Sequence, residues 1–210
     1  MNENFTGDQK RLNHFLLNYE KKIIKACLPL VPSWISTVHL TLMTFLWSAG
    51  VIGFGYLSHY DIRWLWAFSV CIFFQHITDM LDGEVGRTRH TGLVKWGFYA
   101  DHLLDYIFLC AIIIGYSFLL PSSYSLLVLL HLAITGGFMV HTLLDFAVTN
   151  DFKISFNRFG VSEMRYAMII LNVALISLGK VLFMEIFPFI VAMSFLALVT
   201  VVFKSQKIYK

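Results

Sequence analysis

Charge is scarce in this sequence. Only 14% of its 210 residues are Asp, Glu, Lys or Arg, against 58% hydrophobic, and the mean hydropathy is +0.70. A water-soluble domain of this length needs far more polar surface, so the composition points to an integral membrane protein. Cysteine is also rare. Cys27, Cys71 and Cys110 each stand in apolar surroundings, which argues against a disulfide framework or a zinc site. Internal repeats and low-complexity tracts are missing, so one membrane domain is expected. The polar start "MNENFTGDQKR" has no apolar core ahead of a small-residue cleavage site, so no secretory leader is expected. A prokaryotic inner membrane is the expected setting. The net charge of +3 is less informative than its distribution, and no nucleic-acid partner is expected.

What is present is a series of long apolar runs. Six segments approach or exceed the roughly 20 residues that a helix needs to cross the hydrocarbon core. They lie at 36–57, 62–81, 96–119, 123–148, 164–179 and 181–203, the last two divided only by Gly179–Lys180. Ahead of them, "RLNHFLLNYEKKIIKACLPLV" reads as an amphipathic helix on the membrane surface, ended by Pro29 and Pro32. The fold expected is therefore an all-α integral membrane protein. Residues 1–35 form an interfacial segment and residues 36–210 a six-helix membrane domain. Of the sixteen Lys and Arg residues, this layout puts all but Arg63 and Lys180 on one side. By the positive-inside rule both termini face the cytoplasm, as does the loop between spans 2 and 3.

That loop and its flanks read "DMLDGEVGRTRHTGLVKWGFYADHLLD", residues 79–105. Asp79 and Asp82 are three apart at the end of span 2. Asp101 and Asp105 are four apart at the start of span 3, and both spacings put a pair on one helix face. If the two helices are neighbours, four carboxylates meet at a membrane boundary, where they repel one another unless a cation lies among them. All-oxygen ligands select hard cations such as Mg²⁺, Mn²⁺ or Ca²⁺. Acidic helix ends in contact with interfacial water are the ordinary alternative. Two pairs on adjoining helices make it the weaker one, because ionisable groups in spans are costly. Gly83, Gly86 and Gly97 would let a ligand approach the backbone, with Gly83 and Gly86 ending or bending span 2. Arg87 offers a planar donor fork to phosphate oxygens. Helix–helix packing is the competing reading of each glycine taken singly.

The pattern Asp79-x2-Asp82-Gly83-x2-Gly86-Arg87-x9-Gly97-x3-Asp101-x3-Asp105 resembles the signature of the CDP-alcohol phosphotransferases, D-x2-D-G-x2-A-R-x8/9-G-x3-D-x3-D. Gly86 alone departs, standing where the family usually has alanine. The resemblance implies two divalent ions, Mg²⁺ or Mn²⁺, held by Asp79, Asp82 and Asp101, with Asp105 a weaker or shared ligand and the base for the attacking hydroxyl. It implies a CDP-linked donor contacted by Gly83, Gly86, Arg87 and Gly97, an alcohol or lipid acceptor, and release of CMP. It also implies a homodimer among membrane lipids. Thr41 falls where the family often has a nucleotide-contacting P-N-x-x-T element, here replaced by "VHLTLMT".

The family has two branches. "ADHLLD" is similar to the D-H-x-x-D of the choline and ethanolamine phosphotransferases. "FGVSEMR" at 159–165 is similar to their G-P-x-E element, with Val161 in place of proline. Both lean towards transfer of a phosphoaminoalcohol to diacylglycerol and make His102 and Glu163 candidates beside Asp105 for handling the acceptor hydroxyl. Arg158 and Arg165 could instead bind the phosphate of a small polar acceptor. That would favour the other branch, in which CDP-diacylglycerol donates a phosphatidyl group to glycerol phosphate, inositol phosphate or serine. A cation transporter is the alternative of another class. It would place acids near mid-membrane in both halves, whereas these lie at one end of one half.

Overall fold

The computed structural model describes residues 17–149 and 161–209, which form seven α-helices: α1 (Leu17–Cys27), α2 (Thr37–Ser58), α3 (Leu65–Thr88), α4 (Val94–Ser117), α5 (Ser125–Thr149), α6 (Val161–Leu178) and α7 (Lys180–Tyr209). Short 3₁₀ turns follow α1 and precede α3 and α5. No strand occurs among the described residues.

Five segments are long and apolar enough to cross a membrane: Thr37–Ser58, Ile62–Thr88, Val94–Ser117, Ser122–Thr149 and Lys180–Tyr209. These correspond to all of the expected spans except the fifth. Its counterpart, α6, has 18 residues, carries Glu163 and Arg165 near its start, and is not one of the five. Two boundaries differ from expectation. Helix α3 continues through Gly83 and Gly86 to Thr88, so neither glycine ends it, and α7 runs to Tyr209. The boundary between α6 and α7 falls where "GK" placed it. Gly179 has φ +87°, a left-handed value suited to glycine, and its N–H closes α6 on the Leu175 carbonyl at 2.8 Å.

Backbone proximity explains how α2 packs on α4. A Cβ on Gly55 of α2 would lie 2.5 Å from the Gly115 Cα of α4, and one on Gly115 would lie 2.7 Å from the Val51 carbonyl oxygen. Between helices in lipid, where apolar burial gives little drive, such close backbone contact supplies much of the attraction. A buried polar layer ties α6 to this core. Tyr116 donates to Asn172 Oδ1 at 2.8 Å, and Asn172 Nδ2 donates to Ser69 Oγ at 2.9 Å. Helix α5 packs on α4 and α7. At one end it is clipped to α7 by Asp145 Oδ1, which accepts from Ser205 and Tyr209.

The entry to α2 is also held. The Ser36 N–H donates to His39 Nδ1 at 3.0 Å, closing a capping box, so His39 has a structural task there. Arg89, just past α3, donates to the carbonyls of Val31, Pro32, Ser33 and Ile35 and straps the preceding turn to the end of α3.

Candidate functional site

Helices α2, α3, α4 and α6 bring their acidic, basic and hydroxyl groups to one end of the bundle. Because α2 runs against α3, Thr41 near the start of one meets Asp82 near the end of the other. The Thr41 hydroxyl lies 2.7 Å from Asp82 Oδ2 and 3.0 Å from the Thr37 carbonyl. It has one proton, and the carboxylate is the stronger acceptor. Thr37 in turn donates to the Asp82 backbone carbonyl at 3.2 Å. Asp82 is 3% exposed, and the charges of Asp101 and Asp79 both act on it. Asp82 is therefore a buried carboxylate beside two like-charged neighbours, one on its own helix and one on α4.

The second half of the cluster is joined by a cation from α6. Arg165, buried at 6% exposure, donates through Nη1 to Asp79 Oδ2 at 3.0 Å and through Nη2 to Asp105 Oδ1 at 2.8 Å. One guanidinium thus bridges the acidic pair of α3 to that of α4. Nη1 also donates to His76 Nδ1 at 2.9 Å, and His76 Nε2 lies 3.2 Å from Glu20 Oε1 on α1.

Other expected site residues are placed as follows. Arg87 pairs with Glu84 at 2.7 Å on the surface, and its Nη1 would lie 3.4 Å from a Cβ added at Gly83, so the guanidinium folds back over that glycine. A Cβ on Gly86 would approach Thr37 Oγ1 to 3.1 Å, so glycine there eases the contact between α2 and α3. A methyl on Gly97 would meet open space. His102 Nδ1 lies 2.5 Å from the Phe98 carbonyl, which only accepts, so Nδ1 carries a proton and Nε2 is the basic nitrogen of the neutral ring. Glu163 is half-buried in the first turn of α6, two residues before Arg165. Arg158 lies outside the described residues.

Does this donor set suit divalent cations? Its chemistry does, with four aspartate carboxylates from two helices that both pack on α2 and no thiolate among the groups placed here. The arrangement is not yet a coordination shell. Among the described residues no three His, Cys, Asp or Glu groups stand together as ready ligands, and Arg165 occupies Asp79 Oδ2 and Asp105 Oδ1. Turning these two carboxylates to a cation requires them to loosen their hold on the guanidinium.

The profile of the CDP-alcohol phosphatidyltransferase family matches residues 29–204, which takes in every helix from α2 to α6 and most of α7. The chain belongs to that family. It is thus a membrane protein of a transferase family that acts on CDP-linked alcohols and generally uses divalent metals. No curated protein and no solved structure matches the chain. Within the family match, residue identity alone pointed to the four aspartates. Asn172 and the role of His76 emerged only from packing, and Glu20 lies upstream of the match altogether.

Proposed function

We propose that this CDP-alcohol phosphatidyltransferase family member transfers phosphocholine or phosphoethanolamine from its CDP ester to diacylglycerol, with the site open to the cytoplasmic leaflet. The observation that supports CDP-dependent transfer is the gathering of the four signature aspartates at one end of α3 and α4, through the Asp82 neighbourhood and the Arg165 bridge, and the D-H-x-x-D resemblance supplies the lean to this branch. Asp79, Asp82 and Asp101 would hold two Mg²⁺ or Mn²⁺ ions, with Asp105 at their edge. Bound there, the ions would neutralise pyrophosphate charge and stabilise the CMP leaving group.

The chain's own groups do the rest. Thr41 holds the Asp82 side chain in one rotamer through its hydroxyl, which sets the orientation of the acid before substrate arrives. Gly83, Gly97 and Arg87 would border the donor, Gly97 by leaving space, Arg87 by its guanidinium and Gly83 by letting that guanidinium lie close over the helix. The acceptor oxygen forms a bond to the phosphorus that bears the aminoalcohol. The bond from that phosphorus to the bridging oxygen breaks, and the oxygen leaves with CMP. The hydroxyl proton passes to a base. Asp105 Oδ1 accepts from Arg165, and the D-H-x-x-D resemblance keeps His102, with Nε2 as its basic nitrogen, beside Asp105 and Glu163 as a candidate for that base. Positioning and charge neutralisation supply most of the rate in such transfers.

Phosphatidyl transfer from CDP-diacylglycerol to a small polar alcohol is the second reading. For a phosphorylated acceptor it would offer Arg165, with Arg158, to the acceptor phosphate, which requires Asp79 and Asp105 first to release the guanidinium. Purified protein given CDP-choline, CDP-ethanolamine and CDP-diacylglycerol in parallel, each with its acceptors and Mg²⁺ or Mn²⁺, is expected to release CMP from the first two. Release from CDP-diacylglycerol alone selects the second reading, and inertness across the panel defeats both. The homodimer expected from the resemblance is tested by the mass of the detergent-solubilised particle.

A further inference from the structure

Three buried polar groups run in series from the surface helix to the acids. Glu20 on α1 is 5% exposed, His76 on α3 is 2% exposed, and Arg165 on α6 is 6% exposed. The distances along the series are 3.2 Å from Glu20 Oε1 to His76 Nε2, 2.9 Å from His76 Nδ1 to Arg165 Nη1, and 3.0 and 2.8 Å from Arg165 to Asp79 and Asp105. The proton positions follow from chemistry. A guanidinium only donates, so His76 Nδ1 accepts and bears no proton. Nε2 then carries the ring proton and donates to the Glu20 carboxylate. His76 is neutral and relays the pull of Glu20 to Arg165.

The asymmetry of Arg165 matters for the proposed reaction. On its front it neutralises Asp79 and Asp105, two acids that the reading above assigns to a divalent ion or to the attacking hydroxyl. Once they turn to a cation, a buried guanidinium would lose its main partners and be driven to leave. The rear contact with His76, backed by the negative charge of Glu20, does not involve those acids.

We infer that Glu20, acting through the Nε2–H tautomer of His76, is a positioning residue that retains Arg165 at the rim of the acidic cluster while Asp79 and Asp105 exchange its guanidinium for a metal ion. Glu20 precedes residues 29–204, so the α1 segment adds to the site a group that the family profile does not cover. The inference rests on the proposed function for its metal step and on geometry alone for the relay.

The test uses the full chain in nanodiscs, with Mn²⁺ as the probe and electron paramagnetic resonance as the readout. Removing the rear anchor leaves Arg165 dependent on Asp79 and Asp105, where it competes harder with the ion. Glu20→Gln is expected to weaken Mn²⁺ binding about tenfold, the scale seen when a group behind a metal ligand is lost. His76→Leu should do the same, and the double variant should be no worse than either single one. His76→Gln, which can accept from Arg165 and donate to Glu20, should recover most of the affinity. Unchanged affinity in Glu20→Gln, additive losses in the double variant, or His76→Gln as weak as His76→Leu would each overturn the inference. Independently of any variant, ¹⁵N-histidine spectra of the wild type should show His76 as the Nε2–H tautomer, and the Nδ1–H form would also overturn it. A wild-type chain with the expected tautomer and Mn²⁺ response that releases no CMP defeats the proposed function and leaves the anchor standing.

Discussion

Helices α3 and α5 are both apolar and of nearly equal length, yet half of the apolar window of the α3 span is buried inside the protein, against 6% for the α5 span and 11% for α7. The difference follows from what each helix carries. Helix α3 bears Ser69, Gln75, His76, Thr78 and Asp82 among its buried residues, while α5 has Ile134 alone. Polar groups in a span need protein partners, so the helices that carry them gather, with α2, α3, α4 and α6 enclosing one another's hydroxyls, amides and charges. The threonine hydroxyls of α5 are satisfied within its own helix, Thr135, Thr142 and Thr149 each donating to the carbonyl four residues back, so they need no partner from another helix. In a membrane it is the polar minority that decides which helix goes inside.

The sharpest way to break this contrast is through the acids. Asp82→Asn keeps the size of a side chain held by Thr41 but removes its charge, and activity should fall by at least about 100-fold. Asp145→Asn, at the same end of the bundle but in the clip between α5 and α7, should leave activity unchanged. Equal losses in CMP-release assays would erase the distinction between the two regions.

Packing offers the next test. In Gly115→Ala the added methyl would lie 2.7 Å from the Val51 carbonyl oxygen and 2.6 Å from the Phe68 ring, and backbone has little room to move. A destabilisation of about 1–3 kcal/mol is expected in detergent unfolding. Gly137→Ala, on α5, would meet Leu198 Cδ2 at 2.8 Å, the far end of a side chain that can turn aside. The gain in helix propensity then offsets the contact, and the net change should stay within about 0.5 kcal/mol.

A smaller effect is expected in the polar layer. Tyr116→Phe removes the donor to Asn172 Oδ1 and should cost about 1 kcal/mol. Phe189, 73% exposed on α7, should tolerate leucine without a measurable shift in the same experiment. Smallest of all is the Asp61–Arg63 pair between α2 and α3. Hydrogen bonds from Arg63 hold the Asp61 carboxyl below the usual carboxylate range, so any stabilisation is present above that range and fades as pH falls through the lowered value. Both groups are exposed to water, and Arg63→Ala should leave the melting midpoint unchanged at pH 7.

By itself the sequence determined the helical membrane class, because long apolar runs in lipid have few structural options, and it located most helix ends within a few residues. It also determined the aspartate pairs, since i, i+3 and i, i+4 spacings put two carboxylates on a face whatever the neighbours are. Gly83 and Gly86 misled, because a glycine inside a packed helix reads the same as one that ends it until α2 is seen beside it. Only tertiary structure decided that Arg165 bridges Asp79 to Asp105, that His76 has one nitrogen on Arg165 and the other on Glu20, and that Asn172 joins Ser69 to Tyr116. Those partners are separated by 56 to 103 positions in the chain. No local period encodes them, and they meet because buried polar groups in a bundle must find one another.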